Sequence, residues 1–255
     1  MANSYFRCKE FIVHQQHTSM KVCTDACLFG AWVAQKQCIE KADTLLDIGT
    51  GTGLLSLMMA QVTQNNQTQI TAVEIESNAA QQASENFRIS NWSDRLNIVH
   101  KSLQEYTAQS LKEKNKIVAF DVIISNPPFY EGYLASPDIN KNKASHSTHL
   151  SWENLVENTS SLLKEEGSFF VLVPTLRAFT MQKLAEQNHL LLVEEVLVYN
   201  DVKHLPFRSF LHFQKKKPAV HSLINVHRNK IIIKNEAGVY STEFTELLKP
   251  FYLHL

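Results

Sequence analysis

The chain has 255 residues, with 25 Lys and Arg balancing 25 Asp and Glu, and it is 44% apolar and 20% charged. Those proportions exclude a disordered, collagenous or coiled-coil chain and fit a globular protein with a sizeable core. No window approaches 18 consecutive apolar residues and the first residues lack the apolar stretch of a signal peptide, so no membrane partner and a cytoplasmic location are expected.

The four cysteines, Cys8, Cys23, Cys27 and Cys38, come first in the chain and contain no C-x-x-C pair. Reduced, packing cysteines and no metal site are expected. Thr24 or Asp25 then offers an N-cap for a helix burying Leu28, Trp32 and Phe29. Thr44–Asp47, Gln69–Glu74, Leu96–Lys101, Phe120–Ser125 and Ser168–Val173 are short apolar runs that read as strands. Helical patterns separate them: Ala79, Ala83 and Phe87 share one face of a helix from Ser77 to Asn91. Ser151 caps another helix that buries Trp152, Leu155, Val156, Thr159, Leu162 and Leu163. Alternation of this kind predicts an α/β fold with a parallel sheet. After Asn188 the texture becomes β-rich, with runs Leu190–Tyr199, Phe207–Phe213 and Ile231–Lys234 before a closing helical segment, Thr242–Leu253. No repeat or linker divides the chain, and one domain is expected.

Only seven glycines occur, and three of them, Gly49, Gly51 and Gly53, follow the first apolar run within five positions. A strand that enters such a turn and leaves as a helix brings backbone close to a ligand. The spacing is not the dinucleotide fingerprint G-x-G-x-x-G, because Leu54 stands where its third glycine belongs, and no P-loop lysine follows. Glu74, 21 residues after Gly53 at the end of the next strand, is placed to accept hydrogen bonds from a ribose. Asp47 to Gly53 together with Glu74 resembles the first motifs of the Rossmann-like S-adenosylmethionine-dependent methyltransferases. The resemblance implies a mostly parallel seven-stranded sheet with helices on both faces, S-adenosyl-L-methionine as cofactor, and Asp47, Gly49, Gly51, Gly53 and Glu74 as its binding residues. Such enzymes usually carry an Asp near the cofactor adenine after the third strand. Here the chain reads His100-Lys101-Ser102-Leu103, which leaves Ser102 as the adenine contact.

The fourth strand runs into Asn126-Pro127-Pro128-Phe129. Two prolines remove two amide donors and leave carbonyls free, so the Asn126 side-chain oxygen and the Pro127 carbonyl make an acceptor pair for a planar amino group, with Phe129 as a stacking face. Holding both hydrogens of an sp2 amine favours a tetrahedral nitrogen as positive charge develops there. The motif names the atom type: adenine N6, guanine N2 or glutamine N5.

The N-terminal string Met20-Lys21-Val22, Thr24-Asp25 and Gly30-Ala31-Trp32, with the glycine loop, Asn126 to Glu131 and Lys249 to Leu253, is similar to the bacterial tRNA1(Val) (adenine(37)-N6)-methyltransferases. Cys23 stands where members of that family often have glycine. The likeness implies a small N-terminal extension (residues 1–43) closing over the cofactor, a core over 44–200 and a basic C-terminal part, 201–255. It also implies a tRNA substrate, with Lys21 and Thr24 near the cofactor and Asn126 in the catalytic turn with Pro127, Pro128 and Phe129. From Asp201 to Lys234 eight Lys and Arg face one acid. Arg7, Lys9, Lys203, Arg208, Lys215, Lys216 and Lys217 are accordingly expected to contact RNA phosphates, and the segment 131–150, with Lys141, Lys143, His146 and His149, to form a lid. A monomer is expected. Glutamine-N5 protein methyltransferases commonly carry a longer N-terminal domain than the 43 residues found before the first strand here. The same residues would also suit a guanine-N2 rRNA methyltransferase or, without turnover, a non-catalytic RNA-binding protein.

Overall fold

The computed structural model describes residues 3–18, 20–64, 67–112, 119–128, 150–216 and 225–255. Phe129, Lys217 and the expected lid residues Lys141, Lys143, His146 and His149 lie outside the described residues. Four parallel strands form the centre: β3 (Thr44–Ile48), β4 (Gln69–Glu74), β5 (Leu96–His100) and β6 (Phe120–Ser125), numbered after an antiparallel N-terminal pair, β1 (Tyr5–Arg7) and β2 (Ile12–His14). Beyond β6 lie β7 (Leu163–Pro174), β9 (Arg208–Lys215), β8 (Leu190–Asp201) and β10 (His227–Lys234), giving the order β10-β8-β9-β7-β6-β3-β4-β5. The sheet therefore has eight strands, where seven were expected; the eighth, β10, pairs parallel to β8 at the edge. Among the eight, β9 alone runs antiparallel to its neighbours.

Alternation along the strands explains why both faces are covered. In β7, Phe169, Val171 and Val173 enter one apolar cluster while Phe170 and Leu172 enter the other. The cluster of Phe170 and Leu172 receives α1 (Thr24–Ala34), α3 (Leu54–Val62) and the Ala83–Phe87 side of α4 (Ser77–Arg88). The cluster of Phe169 receives α6 (Trp152–Leu162) and α7 (Ala178–Gln187). Trp32 of α1 meets the Phe170 ring edge-on, with centroids 5.6 Å apart. Remaining helices are α2 (Gln37–Glu40), α5 (Leu103–Lys112) and α8 (Thr242–Leu248).

Two caps behave differently. Ser151 accepts a hydrogen bond from the Asn154 amide at 3.2 Å, as its place before α6 predicts. At α1 the N-cap position belongs to Cys23, without a side-chain cap, and the expected caps Thr24 and Asp25 are already helical. Asp25 is drawn instead to Arg208, whose Nε lies 2.8 Å from Oδ2. Cys8 and Cys27 are buried, as expected of packing cysteines, whereas Cys23 is exposed. Burial pushes the Cys27 thiol up to about 12 and so keeps it protonated.

Candidate active site

The chain fills β3, β4 and β5 in one direction and then returns to lay β6 on the other side of β3. At such a reversal the loops after the two neighbouring strands part, and a crevice opens at their carboxyl ends. Ile48 and Ser125 are register partners, so Gly49 and Asn126 leave the sheet side by side. Ser125 ties the two ends by donating its hydroxyl to the Ile48 carbonyl at 2.9 Å.

A cavity of about 1030 Å³ occupies this crevice and is lined by Lys21, Gly49, Gly51, Glu74, Ser102, Asn126, Pro127 and Pro128 among others. Eight of the residues singled out in the sequence thus meet in one place. Both Gly49 and Gly51 have positive φ, and a Cβ built on either would touch nothing within 4 Å, so the loop presents bare backbone to open space. Gly53 has a different role: at φ +85° it precedes α3, and a Cβ there would sit 2.5 Å from the Phe87 ring. It sets the packing of α3 on α4.

Asp47 also works from below. Its Oδ2 accepts the hydroxyls of Thr50 at 2.6 Å and Ser56 at 2.7 Å, which pins both ends of the glycine loop. Its Oδ1 is buried and has no hydrogen-bond partner. Burial pushes this carboxyl up to about 6, against the lowering effect of the two hydroxyls, and the charge of Glu74 adds to the rise. Glu74 links the loops after β3 and β4 along one wall of the crevice: Oε2 accepts the Gly51 amide at 2.9 Å and Oε1 the Glu76 amide at 2.9 Å. Glu76 in turn caps α4, accepting from the Asn78 and Ala79 amides.

Ser102 lines the cavity, but its hydroxyl donates to Glu105 Oε2 at 2.7 Å and accepts from the Glu105 amide, the two-way capping of an α5 start. Lys21 also lines it, with its ammonium turned to the Gln15 and Thr18 carbonyls of its own segment. Thr24 is exposed at the start of α1, outside the lining. Three lining residues that the sequence did not mark are Ile75, Leu103 and Gln104. Their signal was position, directly after Glu74 and Ser102 at the ends of β4 and β5.

The decisive atom is Asn126 Oδ1. It is buried and accepts no hydrogen bond, although the residue stands in the wall of an open cavity. A buried acceptor left unpaired costs about 1–3 kcal/mol, which a donor bound beside it would offset. Followed by two prolines without amide hydrogens, it faces no competing backbone donor from either of them.

The expected phosphate contacts do not share a face. Arg208 stands at the carboxyl edge, opposite Pro174, paired with Asp25. Because β9 is reversed, Lys215 and Lys216 emerge at the amino edge, away from Asn126. There Lys215 Nζ donates to the Ser160 and Leu163 carbonyls at 2.7 and 2.9 Å, and Lys216 pairs with Glu166. Lys9 donates to the Lys249 carbonyl at 2.6 Å, beside the exposed Arg7 on the N-terminal hairpin. Lys203 lies in the turn after β8, its amide held by Asp201. Among the described residues, no group of three His, Cys, Asp or Glu is placed to hold a metal, and no helix is long and apolar enough to cross a membrane.

Residues 32–191 match the methyltransferase small domain family. The chain is 38% identical to a tRNA1(Val) (adenine(37)-N6)-methyltransferase of Dyadobacter fermentans over 98% of both chains. It is 36% identical to one of Cytophaga hutchinsonii over the full length of both. The chain belongs to the tRNA1(Val) (adenine(37)-N6)-methyltransferase family. Solved structures share its fold: a predicted O-methyltransferase of Agrobacterium tumefaciens superposes with TM-score 0.65 at 13% identity, covering 88% of this chain and 95% of that one. An S-adenosylmethionine-dependent methyltransferase of the same organism does so at 0.58 and 14% identity, over 85% and 72%. The crevice between Gly49 and Asn126 is where the residues expected to hold a methyl donor and an amine come together.

Proposed function

We infer that the protein transfers a methyl group from S-adenosyl-L-methionine to the exocyclic N6 of an adenine in tRNA, adenine 37 of tRNA1(Val). The orphaned Asn126 oxygen in the cavity wall carries the reading, because it is an acceptor awaiting a donor beside a loop that admits a nucleoside. The cavity fits that cofactor in three respects: bare backbone at Gly49 and Gly51, a carboxylate at Glu74 with lone pairs to spare for ribose hydroxyls, and apolar Ile75 and Leu103 beyond it. Bound there, the cofactor supplies an electrophilic methyl group on a sulfonium.

The residues of this chain do the positioning. Asn126 Oδ1 and the Pro127 carbonyl take the two N6 hydrogens, which turns the nitrogen lone pair toward the methyl carbon. With the methyl donor held at Gly49, Gly51 and Glu74 and the amine at Asn126 and Pro127, the N–C bond would form as the C–S bond breaks and the positive charge would pass to nitrogen. The same two acceptors stabilise that charge until the proton passes to water. Phe129, known here from sequence alone, is assigned the stacking face for the extruded base. Thr18, Met20 and Lys21 line the cavity, which supports reading the N-terminal extension as a cover over the core within a single methyltransferase domain.

The test is methyl transfer from labelled cofactor to purified tRNA, read by mass spectrometry of the nucleosides. N6-methyladenosine at position 37 is expected. Label on guanine N2 or on protein glutamine replaces this reading with one of the other two amine classes, and no label at all leaves a binding protein.

A further inference from the structure

Beside the crevice the carboxyl edge carries apolar surface that the fold does not use. Leu176 is 96% exposed, Phe179 66% and Leu205 87%. Leu176 lies in the short turn between β7 and α7, Phe179 in the first turn of α7, and Leu205 in the loop between β8 and β9. These segments are one surface: the Thr175 amide donates to the Phe207 carbonyl at 3.3 Å, and Ser209 donates its hydroxyl to that of Thr175 at 3.3 Å. The surface adjoins the catalytic crevice, because β7 lies next to β6, whose end bears Asn126. Arg177 ties it further inward. Its guanidinium lies 4.9 Å from the centre of the Trp152 ring, two residues beyond Leu150, which itself lines the cavity.

Charge gives the surface a direction. Thr175 to Lys183 contains Arg177 and Lys183 and no acid, and Val202 to Arg208 contains Lys203 and Arg208 and no acid. Of the neighbouring acids, Asp201 holds the His204 ring and the Lys203 amide and Asp25 holds Arg208, while Glu186 stands exposed one turn beyond Lys183. Lys183 sits with its ammonium 4.7 Å from the centre of the Phe179 ring, so an exposed aromatic face and a cation come as a unit. An apolar plate with a cation set over its exposed aromatic ring and Lys203 at its rim is matched to an unpaired nucleotide strand, whose bases stack and whose phosphates are negative.

We propose that this plate, centred on Phe179 and Lys183 and extended by Leu176 and Leu205, receives the tRNA strand next to the target adenine. Phe179 stacks an unpaired neighbouring base while Lys183 meets a phosphate. The proposal rests on the tRNA reading above and adds to it the surface that fixes which strand enters the crevice.

The experiment measures steady-state methylation of tRNA by the full-length protein, with KM determined separately for tRNA and for the cofactor. Phe179→Ala is expected to raise KM for tRNA about tenfold, the scale of one lost base stack. Phe179→Trp should restore it, and melting temperature and the KM for the cofactor should stay at wild-type values in both. Lys183→Gln should lower the slope of log affinity against log salt by about one. The double variant Phe179→Ala/Leu205→Ala overturns the proposal if its KM for tRNA equals that of a wild-type enzyme that methylates tRNA. A dimer that this double variant dissociates, with tRNA kinetics unchanged, also overturns it and assigns the plate to a second copy of the chain. Wild-type protein that methylates no tRNA sinks both this proposal and the functional reading beneath it, and so is told apart from failure of the plate alone.

Discussion

The two ends of the central sheet treat their polar groups in opposite ways. At the amino edge the charged groups near the strand starts are paired, although Gln61 Oε1 and Thr159 Oγ1, toward that end of their helices, are buried without a partner. Arg95 donates to the carbonyls of Ala60, Thr63 and Thr68 and to the Thr63 hydroxyl. Asp121 accepts from the Asp43 and Thr44 amides, the Thr44 hydroxyl and Lys164. At the carboxyl edge, by contrast, Asp47 and Asn126 each keep a buried oxygen without a partner, and Leu176 and Leu205 stand almost wholly in water. One end is closed for stability and the other is left open to bind. That division is expected when both roles share one sheet, since groups satisfied internally have nothing left to offer a ligand.

Mutations should separate the ends, and the largest effect falls at the open one. Asn126→Ala is expected to lower the methyl-transfer rate by about 10²–10³-fold in single-turnover assays, the usual loss for one preorganised polar contact to developing charge. Melting temperature should hold or rise, because a buried unpaired oxygen is removed. A rate within a few-fold of wild type would show that the open acceptor serves no chemistry.

Arg95→Met should do the reverse, costing about 3 kcal/mol of unfolding free energy by stranding buried carbonyls. Activity per folded molecule should be unchanged, and denaturant titration with active-site counting checks both. Third in size, Glu74→Gln should weaken cofactor binding about tenfold through loss of charge-assisted hydrogen bonds, measured by calorimetry.

The pH response sharpens the contrast, because two buried groups pull stability in opposite directions between about pH 4 and 6. Asp47 is raised from 3.8 to about 6, so the folded protein binds its proton more tightly than the unfolded chain does. Its contribution is full below about pH 4 and is lost as pH rises through about 6. His212, stacked on Phe170 with centroids 4.2 Å apart, is lowered from 6.5 to about 4 chiefly by burial. Its contribution is present above 6.5 and is lost as pH falls toward 4. Urea midpoints between pH 4 and 7 should therefore fall less on acidification in His212→Phe than in wild type, and more in Asp47→Asn.

The smallest effect is expected from Lys216→Ala, which lies at the closed edge in an exposed pair with Glu166. Its tRNA affinity and salt slope should match wild type. A clear loss would mean that the substrate wraps around to the amino edge.

Much of this division was legible in the sequence where local pattern and tertiary role coincide. β4 and β6 fall on Gln69–Glu74 and Phe120–Ser125 as expected, because both are apolar runs ended by a polar ligand-side residue. β7 begins at Leu163, five residues before the expected Ser168, since a polar Lys-Glu-Glu-Gly stretch hides a strand that pairing of Leu163 with Phe120 of β6 extends. The closing helix stops at Leu248, short of the expected Leu253, with Pro250 just beyond. At the site, the glycines, Glu74 and Asn126 announced themselves by spacing. The basic run did not survive folding as one surface: the reversal of β9 carries Arg208 to one edge and Lys215 to the other, and no local pattern encodes the direction of a strand. Ser102 lines the cavity as expected of a site residue, and its hydroxyl is also shared with Glu105, three residues on, which no strand pattern signals.

Glu74 has one more consequence. By gripping the Gly51 amide after β3 and the Glu76 amide after β4, it fixes the spacing of the two loops that form one wall of the cleft before any guest arrives. A ribose received there, as proposed, would trade into an existing scaffold instead of organising a slack one, so entry and departure of the nucleoside would demand little ordering of the chain.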